Sequence, residues 1–256
     1  MHSRIGLMTL TQDVKQKAID VGFVSVGISN PSVLRDLPHG WIRNICNLRS
    51  PEEELPTVKS VILMSYYAWD RAFNLRVDST YFRSRERYVP RIPVESYQLY
   101  YEVMKSKAWM IVDCLSQKGF EAILSFTIPL KTAAVRCGLG CQGKSTLLIT
   151  PNYGPRVRLI SVLTTAELDT DEPYKEDFCK DCEKCVIACP TGALEPYKIR
   201  INRCMTYAAE QPEASDVPDD VRKLERKLIR RPTPHSYIEC TTCIEACPIG
   251  KLQRAN

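Results

Sequence analysis

Twelve cysteines stand in the 256 residues, and eight of them fall between Cys179 and Cys247. Thiolates gathered this densely bind soft metal ions. The run CKDCEKCVIACP, which begins at Cys179, has the spacing C-x2-C-x2-C-x3-C-P of bacterial two-cluster ferredoxins. In that pattern three cysteines hold one 4Fe-4S cube and the fourth crosses to a second cube. A zinc site would use two C-x2-C pairs and has no need of the terminal Cys-Pro. A second run, CTTCIEACP, supplies Cys240, Cys243 and a crossing Cys247, but Tyr237 stands three before Cys240, where a further thiolate is needed. Cys204, between the two runs, is the nearest unassigned sulfur. The expected ligand sets are therefore Cys179, Cys182, Cys185 and Cys247 for one cluster, and Cys189, Cys204, Cys240 and Cys243 for the other. Two adjacent 4Fe-4S clusters make an electron wire. Of the remaining four, Cys46 and Cys114 read as buried small hydrophobes, and Cys137 and Cys141 as packing residues, with a redox-active pair as the alternative, that flank a glycine-rich loop.

That loop, RCGLGCQGKST from Arg136 to Thr146, also spells G-x-x-x-x-G-K-[ST]. A nucleotide-binding P-loop needs a strand before the glycines and a helix starting at the lysine, so that free N–H groups and the helix dipole face the phosphates. Here PLKTAAVRC, with Leu130, Ala133, Ala134 and Cys137 on one face, predicts a helix before the loop. TLLIT and RLISVLT after it read as strands. The order is reversed, and ATP or GTP binding is not expected.

These residues need elements to hold them. TLTQDVKQKAIDVG carries a capping box at Thr9 and Gln12, apolar Val14 and Ala18 on one face, and Gly22 as a stop. FVSVGI and SVILMSYYAW are strand-like, with a proline-containing loop region at 49–59 between them. The longest helical period places Tyr97, Tyr101, Met104, Ala108, Ile111, Val112 and Leu115 on one side before Gly119. FEAILSF is another strand, and TLLIT and VRLISVL read as a pair. The alternation predicts one α/β domain over 1–170. From Asp169 the composition turns acidic and then cysteine-rich, which predicts a small domain over 171–256 held by metal more than by a core. Within it SDVPDDVRKLERKLIRRP reads as a capped amphipathic helix, with Val217, Val221, Leu224 and Leu228 inward and Arg222, Lys223, Arg226, Lys227 and Arg230 outward.

Composition bounds the function classes. Apolar residues make up 44% and charged residues 25%, with a net charge of +5, which is globular and only mildly basic. Such a balance does not by itself indicate nucleic acid, although it suits an acidic electron-transfer partner. There is no run of 18 apolar residues, and MHSRIGLMTL is too short and polar for a signal peptide, so the expectation is a cytoplasmic protein without a membrane partner.

The chain resembles the epoxyqueuosine reductase family, which is related to the reductive dehalogenases. The likeness is carried by VKQKAIDVGFVSVGI, LPTVKSVILMSYY, AAVRCGLGCQGKSTLLITPNYGPRVRLISVLT, CKDCEKCVIACPTGAL, INRCMTY and CTTCIEACP. The family's isolated R-C-x-x-Y cysteine matches Cys204. The resemblance implies a cobalamin seated in an α/β domain of the flavin-nitroreductase type (α+β), followed by a double 4Fe-4S ferredoxin-like domain whose clusters pass electrons to cobalt. It also implies that Gly138, Gly140, Gly143, Lys144, Ser145 and Thr146 line the corrinoid pocket. Backbone N–H groups of a glycine-rich turn can meet the amides and phosphate of cobalamin. The block contains no His, so cobalamin is expected with its lower base displaced.

Three departures bear on activity. The family's proton donor is an Asp in a D-S segment about fourteen residues before GLG; ILSFTIPL has no acid here, and the nearest carboxylate in sequence is Glu121. The family's Trp after GLG is Cys141. The helical repeats with which many members grip tRNA do not follow Cys247 in the nine remaining residues. Tyr66, Tyr67, Tyr97 and Lys131 are candidate proton donors by position alone. The sequence thus leads to a cobalamin-dependent iron-sulfur reductase resembling epoxyqueuosine reductase. Its expected partners are a low-potential donor such as ferredoxin or flavodoxin, and tRNA or a corrinoid protein. The alternative is an electron-transfer or corrinoid-activating ferredoxin-like protein without substrate chemistry of its own.

Overall fold

Ser60–Tyr67 (SVILMSYY) is apolar on both faces, and the structure places it inside a sheet. The computed structural model describes residues 8–42, 46–68, 96–231 and 237–250, without the side chains of 41–42 and 96–100. Four strands, β1 (Ser25–Ser29), β2 (Ser60–Tyr67), β3 (Ala122–Ser125) and β4 (Val157–Thr164), form one sheet in the order β1-β2-β4-β3. Every pairing is antiparallel, with Ile28 opposite Ile62, Ile62 opposite Val162, and Leu124 also opposite Val162. The fold is thus mixed α/β with an antiparallel sheet. Central β2 and β4 bury Val61 to Met64 and Ile160 to Thr164, as strands covered on both faces must.

Helices are set by local signals. In α1 (Leu10–Asp20) Thr9 Oγ1 accepts from the Gln12 N–H, and Gln12 Oε1 accepts from the Thr9 N–H, which completes the expected capping box. A second capping box, Ser50 with Glu53, starts α2 (Pro51–Glu54) where the sequence reading placed only loop. The long helix α3 (Ser96–Ser116) buries Met104, Ala108, Ile111, Val112 and Leu115. Helix α4 (Leu130–Arg136) precedes the glycine-rich turn, and no helix begins at Lys144. Helix, turn, strand is therefore the observed order. Among the described residues no helix is long and apolar enough to cross a membrane.

Two compact units divide the chain, each drawn from separated segments. One takes 1–67, 104–141 and 157–176; the other takes 68–103, 142–156 and 177–256. In the first unit Asp171 brackets Ile28 at the edge of β1: its Oδ2 accepts from the Ile28 N–H at 2.8 Å, and its own N–H donates to the Ile28 carbonyl. Its Oδ1 is 2.5 Å from Lys15 Nζ. In the second unit α5 (Lys184–Ile187) packs against α8 (Thr242–Ala246), and α6 (Met205–Glu210) against α7 (Asp219–Leu228).

Three expectations are corrected. TLLIT does not pair with VRLISVL: β4 lies between β2 and β3, and Leu148–Ile149 belongs to a separate two-residue ribbon. Helix α7 has Pro218 at its N-cap with no side-chain cap; Asp219 and Asp220 in its first turn face the positive helix end instead. Val217 and Val221 point inward as expected, but Leu228 is 46% exposed and Glu225 is 4% exposed, paired with Arg231 at 2.6 Å. Cys46 and Cys114 are half-buried rather than buried.

Candidate metal centres

The cysteine segments are held by short-range bonds. The Cys182 N–H donates to the Cys179 carbonyl, and the Cys179 N–H to Asp177 Oδ1 at 2.8 Å, so C-x2-C is wound into a tight turn before α5. Cys204 is the N-cap of α6, and its carbonyl accepts from the Ala208 N–H. Tyr207, Ala208, Val217 and Val221 form a small core against which Cys204 packs. Met205, Ala209, Ile229 and Tyr237 form a second, against which Cys240 packs. Helix α6 therefore carries apolar contacts to both sides and fixes the isolated cysteine between the two runs.

Burial, neighbouring charge and hydrogen bonds act on five of the eight sulfurs. Burial pushes the Cys185 thiol up, and charge on Cys179 and Cys247 pushes in the same direction. Cys247 is likewise raised by burial and feels Cys179 and Cys182, while Arg156 opposes the rise. Burial raises Cys204, which feels Cys240 and Cys189. Cys243 is pushed up to about 12, by burial first and then by Cys240, Cys204, Cys189 and Cys185. Burial also acts upward on Cys189, but hydrogen bonds from Thr191, Ala193 and Leu194 hold it below its ordinary value. The couplings link Cys179, Cys182, Cys185 and Cys247, and they link Cys189, Cys204, Cys240 and Cys243, with Cys185 also acting on Cys243. Thiolates that crowd in this way repel until a cation joins them.

Donors already point at sulfur. The Ala193 N–H donates to Cys189 Sγ at 3.3 Å, and the Thr191 and Thr242 hydroxyls lie 3.6 and 3.5 Å from Cys189 and Cys240. The Lys144 N–H donates to Cys179 Sγ at 3.4 Å. Among the described residues no three His, Cys, Asp or Glu side chains meet around one ion-sized point. Thiolates surrounded by N–H and hydroxyl donors are a donor set that suits an iron-sulfur cluster.

The glycine-rich residues are distributed between the units. Gly138 has φ +77°, and a Cβ there would stand 2.7 Å from the Glu172 carbonyl oxygen; Gly140 is buried. In the second unit the Gly143 N–H donates to the Leu147 carbonyl and the Thr146 N–H to the Gly143 carbonyl, with Thr146 at φ 63°. Ser145 is buried, and Lys144 is 8% exposed with its Nζ 3.6 Å from Glu183 Oε1. The amides of Gly138, Gly143, Lys144 and Thr146 are committed within the chain. That commitment is invisible to a motif search.

Of the candidate proton donors, Tyr66 is half-buried edge-on to Phe23, with ring centroids 6.3 Å apart, and Tyr67 is half-buried at the end of β2. Lys131 is exposed on α4. The side chain of Tyr97 lies outside the described residues. Glu121 is exposed and offers its carbonyl to Thr164. A carboxylate that sequence reasoning missed reaches the end of β3 from α2: Ser125 Oγ donates to Glu54 Oε1 at 2.8 Å, and Thr127 Oγ1 bonds the same oxygen. The sequence separation of 71 between Glu54 and Ser125 explains why it was missed.

Residues 173–195 match the 4Fe-4S binding domain family. Over 274 residues the chain is 29% identical to the epoxyqueuosine reductase of Escherichia coli strain K12, covering 99% of this chain and 69% of that one. The chain is similar to the epoxyqueuosine reductases. An epoxyqueuosine reductase solved with a tRNA-Tyr epoxyqueuosine-modified stem loop superposes with TM-score 0.70 at 21% identity, over 94% of this chain and 65% of that chain. A reductive dehalogenase structure bearing on B12-dependent dehalogenation gives TM-score 0.55 at 16% identity, over 88% of this chain and 35% of the other. This relative of the epoxyqueuosine reductases thus shares their fold while spanning about two thirds of the length of the solved ones.

Proposed function

We propose that the protein is an iron-sulfur reductase of the epoxyqueuosine reductase type. The observation that carries this reading is the pair of cysteine runs with Cys204 between them, which supplies the sets Cys179/Cys182/Cys185/Cys247 and Cys189/Cys204/Cys240/Cys243, with Cys204 at the N-cap of α6 and donors on Cys179, Cys189 and Cys240. When bound, two 4Fe-4S clusters would supply single electrons in sequence from a low-potential donor such as ferredoxin or flavodoxin. The domain reading that goes with it is a corrinoid-type α/β part over 1–170 and a cluster part over 171–256, in the cytoplasm.

The acceptor we propose is a cobalamin, supported by the sequence likeness and by the B12-linked dehalogenase neighbour. Gly138, Gly140, Gly143, Lys144, Ser145 and Thr146 are the proposed contacts. Four of their amides already bond within the chain, so side chains and the exposed edges of the turn would make the contact. The substrate class we propose is a modified nucleoside of tRNA carrying an epoxide, as in the relative solved with a stem loop. Removing the epoxide oxygen as water consumes two electrons and two protons. The Asp that the resemblance led us to expect is missing, and Glu54, bonded to Ser125 and Thr127, supplies a carboxylate at that place.

The deciding experiment is anaerobic reconstitution followed by iron analysis, a cob(II)alamin spectrum and turnover of an epoxyqueuosine-containing stem loop. About eight irons, a changed cobalt spectrum and turnover are expected. Eight irons with no spectral change on adding excess protein would leave the alternative, an electron carrier serving a separate corrinoid protein.

A further inference from the structure

The hairpin 142–156 groups with the cysteine segments, and it directs three electrostatic features at one of the two quartets. Its Lys144 N–H donates to Cys179 Sγ at 3.4 Å, and the Lys144 ammonium is buried 3.6 Å from Glu183, which is itself half-exposed. At the far end Arg156 is 5% exposed, and its guanidinium forks onto the loop around Cys247. Nη1 donates to the Ile249 carbonyl at 2.6 Å, and Nη2 to the Cys247 carbonyl at 3.0 Å and the Ile244 carbonyl at 3.1 Å. The fork is held in place by a close backbone crossing. A Cβ on Gly154 would come within 2.1 Å of the Ile249 carbonyl oxygen, and one on Gly250 within 2.0 Å of the Tyr153 carbonyl carbon. Burying a guanidinium and an ammonium is costly, and a fold that does so gains something from their charge.

Resting on the two-cluster reading above, we infer that the hairpin 142–156 is a redox-tuning element for the cluster held by Cys179, Cys182, Cys185 and Cys247. Reduction of a four-thiolate cube adds one negative charge. An N–H donor on a ligand sulfur stabilises the reduced form over the oxidised form, and so does buried positive charge nearby. Low local dielectric strengthens both effects. The other quartet receives neutral donors among the described residues, from Thr191, Ala193 and Leu194 on Cys189, from Thr206 and Tyr207 on Cys204 and from Thr242 on Cys240, whereas the buried cationic residues Lys144 and Arg156 bond to Cys179 and Cys247. The Cys179 quartet is therefore the higher-potential cluster, and electrons settle there. The lysine of the G-x-x-x-x-G-K-S match thus has a ligand in this chain, a cysteine sulfur instead of a phosphate.

The test is an anaerobic redox titration followed by electron paramagnetic resonance. It is made in a Cys204→Ala background, so that the Cys179 cluster is read alone, and iron is counted in every sample. Arg156→Gln should lower the one-electron reduction equilibrium about tenfold, about 59 mV. Lys144→Met, which keeps the backbone donor and leaves Glu183 in place, should lower it about threefold. Arg156→Lys should stay near the parent. Unchanged equilibria in both Arg156→Gln and Lys144→Met, with iron retained, would overturn the inference. Loss of iron in Lys144→Met would also overturn it, because the hairpin would then be a clamp and not a tuner. A parent protein without two cubes would instead sink the cluster reading beneath.

Discussion

Cys204 shows most directly what one residue decides. It lies outside both cysteine runs, yet burial and the charges of Cys240 and Cys189 act on it together. Cys204→Ala should halve the iron, to about four per chain, and remove one of two cube signals on reduction. An unchanged iron count would take Cys204 off the ligand list. Cys137 illustrates the opposite fate for a sulfur. Burial pushes it up to about 12, from an ordinary 9.0. Between those values the unfolded chain gives up the proton that the folded chain keeps. The folded state then binds more protons, and stability falls as pH rises, by up to about 1.4 kcal/mol per pH unit. Below pH 9 the residue should contribute no slope. Cys137→Ala loses packing at every pH but not this slope, so its urea midpoint should shift upward relative to the parent's between pH 8 and pH 10.5. Glu54→Gln should lower stem-loop turnover about a hundredfold if its carboxyl donates the proton, while leaving the iron count unchanged; full turnover would return the role to another group.

At the scale of elements, α7 marks the limit of periodic reading. The apolar period placed Val217 and Val221 correctly, because burial of branched side chains is what such a period measures. It sent Arg222 outward, whereas that guanidinium reaches the carbonyls of Ala208 and Gln211, which the end of α6 leaves without helical partners, and that of Ala214 in the following loop. A period counts hydrophobicity and is blind to carbonyls waiting in another element. Arg222→Met should therefore cost about 1–3 kcal/mol in urea unfolding, and Leu228→Lys less than about 0.5. The sheet teaches a related lesson. Its strands were legible one by one from β-branched runs, and the capping box of α1 from two side chains. The partnership of TLLIT with VRLISVL was not legible. A strand apolar on both faces, such as β4, needs a long neighbour on each side, and two residues at Leu148–Ile149 cannot serve. The order helix, turn, strand around Gly138–Thr146 was legible, and it predicts that calorimetry with ATP and magnesium shows only heat of dilution. Micromolar binding abolished by Lys144→Ala would overturn that argument.

At the scale of the whole molecule, the eight coupled sulfurs all belong to the unit with short helices and small apolar cores. The four-stranded sheet belongs to the other unit. Stripping iron should therefore open the chain unevenly. Amide protection should be lost in α5, α6 and α8 while β2 and β4 keep theirs, as hydrogen exchange of holo and chelator-treated protein would show. Uniform loss in both units would mean that they unfold as one. The path of the backbone carries a further consequence. It passes from one unit to the other at 67/68, 103/104, 141/142, 156/157 and 176/177. On a ribosome that synthesises from the amino terminus, the hairpin bearing Lys144 and Arg156 emerges before any of the eight sulfurs that it and its neighbours must meet. The last of those sulfurs, Cys247, arrives about a hundred residues after Lys144. The hairpin is therefore complete in the nascent chain while its bonds to Cys179 and to the carbonyls of Ile244, Cys247 and Ile249 still wait for those segments to emerge.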